Sequence, residues 1–293
     1  MTILEDYKKS LKLIEVEEIL DLIFYRPLAF ILVRLIFNTN ITPNQLTITA
    51  LCFGIFGSLM YLVNTHNALI LAGIFFITYD VLDCADGQLA RLKHNGTPIG
   101  RVLDGLADYI VSIAFYLCIG FGLSGNYDNP ILFWLLVVGA GLSNALHSSV
   151  LDFYRNRFLD YALARGSILG DSLKEFKDEY DKIHQEKGKY FQKLLLWIYL
   201  KYSYVQLKSS SSDLEVERKK YNVEDFLKKH KTIMHLWTYL GPTTELTFLI
   251  IASFINRIDF YLWGLLIVGN LYTIILYIFQ YRINKSTKLT GTV

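Results

Sequence analysis

The sequence carries almost no excess charge. Its 29 Lys and Arg nearly balance 27 Asp and Glu, leaving a formal +2 over 293 residues. No basic surface for nucleic acid is implied. Cysteine is scarce. Cys52, Cys84 and Cys118 all fall in apolar segments, with neither a disulfide framework nor zinc-type spacing. The N-terminal stretch MTILEDYKKSLKLIEVEEIL is charged and amphipathic, so no cleavable signal peptide is expected. Polar helix faces are largely missing too, which argues against a soluble helical protein.

What is present is apolar. Hydrophobic residues make up 53% and aromatics 15%, and several runs of about 20 apolar residues follow one another. The expected class is an all-α polytopic membrane protein, a bundle of six transmembrane helices. The spans fall near 44–64, 67–91, 98–122, 130–154, 233–256 and 260–282. Thr42 is placed to cap the first, with Pro43 at its first turn.

Before them, residues 1–43 hold an amphipathic stretch and RPLAFILVRLIF (26–37), interrupted by Arg34 and too short to cross. An interfacial helix is expected there. Residues 44–154 carry the first four spans. Residues 155–231 form a cytoplasmic helical insert, and residues 232–293 carry the last two spans and the tail. Within the insert a charged helical stretch covers 173–183 and an aromatic one 190–207. The aromatic one suits either a membrane surface or a small cytoplasmic cap. The run Ser209–Ser212 reads as a linker. Lys and Arg populate alternate loops, and Arg257 is their lone representative on the other side. Both termini and the insert are therefore expected in the cytoplasm.

Five aspartates sit at the ends of the second and third spans: Asp80, Asp83, Asp86, Asp104 and Asp108. At 100° per residue, Asp83 and Asp86 share a helix face, and so do Asp104 and Asp108. The short HNGTP connection makes the two helices antiparallel neighbours, so four carboxylates can converge at the cytoplasmic end. An ionised Asp costs roughly 2.5–3.5 kcal/mol deep in a membrane helix, and four cost on the order of 10 kcal/mol. Arg91 and Arg101 are too few to offset them. Hard divalent cations, Mg²⁺ or Mn²⁺, are the natural compensation. The plainer alternative is that the acids cap helices and pair with these arginines.

The pattern Asp83-x-x-Asp86-Gly87-x-x-Ala90-Arg91, eight residues, Gly100-x-x-x-Asp104-x-x-x-Asp108 resembles the signature of the CDP-alcohol phosphotransferase (CDP-alcohol phosphatidyltransferase) family at every fixed position. The resemblance covers about residues 40–154 well and the last two spans by architecture only. It implies an enzyme that displaces CMP from a CDP-linked donor with an alcohol, six-helix bundles paired as homodimers, and one or two bound Mg²⁺ or Mn²⁺ ions. By the same resemblance Asp83, Asp86 and Asp104 are metal ligands. Asp108 is the base for the acceptor hydroxyl and contributes to metal binding.

Gly87, Ala90 and Gly100 lack bulk, which admits a nucleotide or close helix packing. Arg91 is expected near the phosphates, or as a topology marker. Asn44 is a nucleotide-contact candidate, although capping accounts for much of its surroundings. Arg101, Arg155 and Arg157 are acceptor-binding candidates and favour a phosphorylated acceptor. Asp80 is expected to hold an Arg or a water behind the site, the alternative being an extra ligand. Glu245 is open between the acceptor pocket and a local hydrogen bond. His147 and Asn144 read as satisfied core polars, and Cys84 as packing.

A CDP-linked lipid donor and a small polar alcohol are the expected partners, with membrane lipids around them. CDP-diacylglycerol as donor is favoured because Gly105 follows Asp104, where headgroup-transferring relatives often carry His. Inositol phosphate and glycerol phosphate lead the acceptors. Transfer of a choline- or ethanolamine-type headgroup to a lipid alcohol is the alternative within the family. A membrane prenyltransferase fits less well, because no paired acids occur in later spans. A cation-coupled transporter calls for broken polar helices in both halves.

Overall fold

Charged and apolar residues alternate along the first 25 positions, yet no single helix results. The computed structural model describes residues 3–11, 13–163, 168–185, 188–190, 192–201 and 220–290. Helix α1 spans Ile3–Ser10, a 3₁₀ turn covers Ile14–Val16, and a π-turn at Asp21–Tyr25 leads into α2, Arg26–Ile36. Glu17, Glu18 and Asp21 of this segment turn inward. Arg26 pairs with Glu17 at 2.7 Å, and both are buried. Ile23, Ile31 and Leu35 point outward. Arg34, which interrupts the apolar run, meets Asp6 at 2.9 Å. At 1.5 Å per residue α2 is roughly 16 Å long, too short to cross a ~30 Å hydrocarbon layer.

The next helices start on residues that can cap. Helix α3 is Pro43–Val63, α4 is His66–Lys93, α5 is Pro98–Leu123 and α6 is Pro130–Ala162. Thr42, Thr65, Thr97 and Asn129 accept hydrogen bonds from the backbone of their first turns. Pro follows three of them, where its missing N–H costs nothing. At Thr42 the arrangement is reciprocal: Gln45 N donates to Thr42 Oγ1 at 3.3 Å, and Thr42 N donates to Gln45 Oε1 at 2.9 Å.

Helices α3, α4 and α5 pack closely enough that small residues are needed between them. A methyl group at Gly54 would lie 2.5 Å from Val111 Cγ2, and one at Gly122 would overlap the Tyr61 carbonyl oxygen. Their shared core includes Tyr61, Phe76, Val111 and Phe115.

Helix α6 continues past residue 154, the expected end of the fourth span, to Ala162. Helix α7 (Ile168–Gln185) contains the charged stretch, and α8 (192–201) is the described part of the aromatic one. Leu195 and Leu196 of α8 and Phe176 and Ile183 of α7 form a cluster with Val102 at the start of α5. Residues 202–219, with the serine run, lie outside the described residues.

Among the described residues five helices are long and apolar enough to cross a membrane: Pro43–Val63, His66–Lys93, Pro98–Asn126, Pro130–Ala162 and Ile258–Ser286. The last contains α11 (Ile258–Trp263), a π-helical stretch at Gly264–Gly269 and α12 (Asn270–Ser286). The segment expected as one span at 233–256 differs. Amphipathic α9 (Val223–Trp237) ends in a 3₁₀ turn, and α10 (Pro242–Phe254) begins after Gly241. The 13 residues of α10 reach only about 20 Å.

A buried carboxylate explains the break. Glu18 accepts from Thr244 N at 2.8 Å and Thr244 Oγ1 at 2.9 Å, at the N-terminus of α10. A side chain at position 241 would overlap the Glu18 carboxyl in its present place, so glycine leaves room for that contact. Among the described residues no strand forms; Tyr221 and Leu289 make an isolated bridge.

Candidate active site

The last turns of α4 and the first turns of α5 are joined through His94, whose left-handed φ of 51° ends α4, and the Thr97 cap. Three of the four carboxylates expected to converge come together here, Asp83, Asp104 and Asp108. One carboxylate oxygen each from Asp83, Asp104 and Asp108 lies within 4.8 Å of the others. Three hard oxygen donors at that spacing suit a small divalent cation. The competing idea, neutralisation by the neighbouring arginines, fares poorly. Arg91 Nε donates to the Ser10 carbonyl, and Arg101 is paired with Glu175.

Asp86 stands slightly apart. It is buried, accepts a hydrogen bond from Thr47 Oγ1, and faces a cavity rather than joining the three-carboxylate cluster. Thr47 is 3.2 Å from the Pro43 carbonyl, so the start of α3 orients the Asp86 carboxylate.

The cavity is lined by Pro43, Asn44 and Thr47 of α3, Asp86, Gly87 and Ala90 of α4, the turn Asn95–Thr97, and Gly100, Arg101 and Asp104 of α5. Asn44, Gly87, Ala90, Gly100 and Arg101 are thus gathered around one cavity. A methyl group on Gly100 would lie 2.7 Å from Asn44 Oδ1, so the bare backbone keeps the Asn44 amide in the cavity wall. Arg91 is not part of this lining. Its guanidinium lies beside Gly87, 3.3 Å from where a Cβ would sit.

Arg155 and Arg157 are elsewhere. Arg155 donates from Nε to the Val16 carbonyl at 3.2 Å and meets Asp152 at 3.2 Å and Glu18 at 3.9 Å. The Arg157 guanidinium covers the Tyr221 and Phe226 rings, at 5.6 and 6.0 Å. Both continue helix α6, but its azimuth directs them toward the N-terminal segment and α9.

Two contacts escape the sequence reading. Tyr79 Oη donates to Asp108 Oδ1 at 2.7 Å, and Thr47 holds Asp86. Tyr79 precedes Asp83 by one helical turn on the same face, which is the available signal. For Thr47 there is none beyond its place one turn after Pro43.

Asp80 joins a different group, with Asp21 and Cys84. Asp21 Oδ1 accepts from Thr243 Oγ1 at 3.2 Å and from Cys84 Sγ at 3.6 Å. Cys84 therefore does more than pack. Burial pushes the Asp21 carboxyl above its ordinary value, opposed by Arg26. Glu245 reaches across to α6, where it bonds to His147 Nδ1 at 2.6 Å and to Asn144 instead of the expected neighbours in its own segment. That network ties α10 to α6 and, through Asn270, to α12.

Residues 40–157 match the sequence model of CDP-alcohol phosphatidyltransferase. The chain is 29% identical over 124 residues to phosphatidylinositol phosphate synthase of Corynebacterium glutamicum, covering 42% of this chain and 54% of that one. It is 30% identical over 136 residues to the bifunctional IPC transferase and DIPP synthase of Thermococcus kodakarensis, covering 46% and 27%. With the protein of the same name from Aquifex aeolicus it shares 28% over 123 residues, covering 42% and 27%. The matches thus span about half of the first relative and about a quarter of the other two. With the full aspartate pattern inside the matched segment, residues 40–157 are a CDP-alcohol phosphatidyltransferase domain.

Proposed function

We propose that this chain transfers a phosphatidyl group from CDP-diacylglycerol to a phosphorylated polar alcohol and releases CMP. The observation that carries the reading is the convergence of Asp83, Asp104 and Asp108 within 4.8 Å beside the Asp86 cavity. Asp83, Asp104 and Asp108 would hold Mg²⁺ or Mn²⁺, with Asp86 completing the set from the adjoining cavity wall, and the ion would supply neutralisation of pyrophosphate charge and polarisation of the phosphorus under attack. Asn44, Gly87, Ala90 and Gly100 receive the nucleotide against bare backbone, with Arg91 flanking Gly87.

Asp108 takes the proton of the acceptor hydroxyl, oriented by Tyr79. The acceptor oxygen bonds to the lipid-bearing phosphorus, the bond from that phosphorus to the bridging oxygen breaks, and CMP leaves with that oxygen. Arg101 in the cavity wall supports a phosphorylated acceptor. Inositol phosphate is favoured by the Corynebacterium relative's name, phosphatidylinositol phosphate synthase.

The charge pattern supports six crossings, the shortest being α10, with the site and both termini on the cytoplasmic side. On the opposite side Arg257 is neutralised by Asp259 at 2.9 Å.

The test is CMP release by the purified chain in detergent with Mg²⁺ or Mn²⁺, CDP-diacylglycerol and a panel of alcohols. Release that depends on inositol phosphate or glycerol phosphate supports the reading. Release only with CDP-choline or CDP-ethanolamine and a lipid alcohol replaces it, and no CMP with any pair removes it.

A further inference from the structure

An ion pair joins the cavity to the insert. Arg101 Nη2 is 2.6 Å from Glu175 Oε2 of α7, and the two side chains are 52% and 54% exposed. The Arg101 guanidinium also rests 5.0 Å from the centre of the Phe176 ring. Arg101 is the one cation among the described residues lining the cavity. The acid from the insert therefore occupies the group best suited to an acceptor phosphate.

We propose that Glu175 is a built-in counter-anion for Arg101, one that an incoming phosphate must displace, and so sets the affinity for phosphorylated acceptors. The proposal rests on the acceptor reading above. A carboxylate and a phosphate both engage guanidinium through paired oxygens, and the phosphate carries more charge. Exposed ion pairs are weak, so the exchange is accessible. Displacing Glu175 does not release α7, because Phe176 and Ile183 remain packed with Val102 and with Leu195 and Leu196. Stacking on Phe176 keeps the guanidinium in place during the exchange.

The experiment uses the full chain in detergent and measures equilibrium binding of radiolabelled inositol phosphate, with CMP release followed in parallel. Glu175→Gln removes the competing charge and keeps the side chain's shape. Binding about fivefold tighter than wild type is expected, as for release of an exposed pair worth ~1 kcal/mol. Binding of unphosphorylated inositol stays unchanged. In an Arg101→Gln background the Glu175→Gln gain disappears, which a merely structural role for Glu175 would not produce.

Unchanged inositol phosphate binding in Glu175→Gln overturns the inference, as does equal tightening for inositol or a gain that survives Arg101→Gln. Tighter binding without CMP release leaves the inference standing and removes the proposed reaction. CMP release with unaltered binding does the reverse.

Discussion

Tyr79 Oη donates a 2.7 Å hydrogen bond to Oδ1 of Asp108, linking the middle of α4 to the carboxylate proposed as base on α5. A base must hold a lone pair on the acceptor hydroxyl, and this bond fixes the carboxylate's orientation. Tyr79→Phe keeps the ring and loses the bond. Partners of this kind, once removed, cost roughly 10–100-fold in activity. The expected result is a fall of that size in kcat, with the KM for CDP-diacylglycerol within about twofold of wild type. Asp108→Asn abolishes turnover and leaves nucleotide binding largely intact. Unaltered kcat in either variant contradicts the assignment.

Gly100 and Asn44 give a second test. A methyl group at position 100 meets the tip of the Asn44 side chain at 2.7 Å rather than any backbone. The side chain yields and the helices stay put. Gly100→Ala should therefore change the Tm in detergent by only about 2 °C or less, while the KM for the CDP-linked donor rises several-fold. A large loss of Tm with donor KM unchanged shows instead that Gly100 serves packing.

The buried acid at the α10 cap predicts a pH dependence. Burial, then the neighbouring Asp21, raise the Glu18 carboxyl to about 8, with Arg155 and the Thr244 hydrogen bonds opposing. The native state thus keeps a proton that the unfolded chain loses above about 4.5. This group's contribution is full below that value, declines as pH rises, and is gone once pH passes about 8. Thermal unfolding between pH 5 and 9 should show wild type losing more Tm than Glu18→Gln. Identical slopes contradict the protonated-cap account.

Much of this architecture is legible in the sequence for physical reasons. Apolar runs of span length locate α3 to α6 and the α11–α12 helix, because lipid demands both length and hydropathy. The aspartate faces follow from helical period alone. What stays hidden depends on chain segments far apart in sequence. The run 233–256 looks continuous because hydropathy measures composition, whereas Glu18 reaches across to end one helix and start another at Gly241–Pro242. That Gly-Pro pair is the only local sign of the break. Arg155 and Arg157 follow the same helix toward the same membrane border as the site. Which way each points is set by Glu18, Asp152, Tyr221 and Phe226, and sequence distance says nothing of that. Likewise Arg101 looks available until Glu175 is found beside it.

The central claim is that carboxylates from two adjoining helices jointly hold a divalent cation at the cavity. Mn²⁺ binding to the purified chain, followed by electron paramagnetic resonance in detergent, measures this directly. The account predicts one or two bound ions per chain in wild type and loss of that binding in Asp83→Asn/Asp104→Asn, with the variant still folded by its thermal transition. A folded double variant that binds Mn²⁺ as wild type does would contradict it.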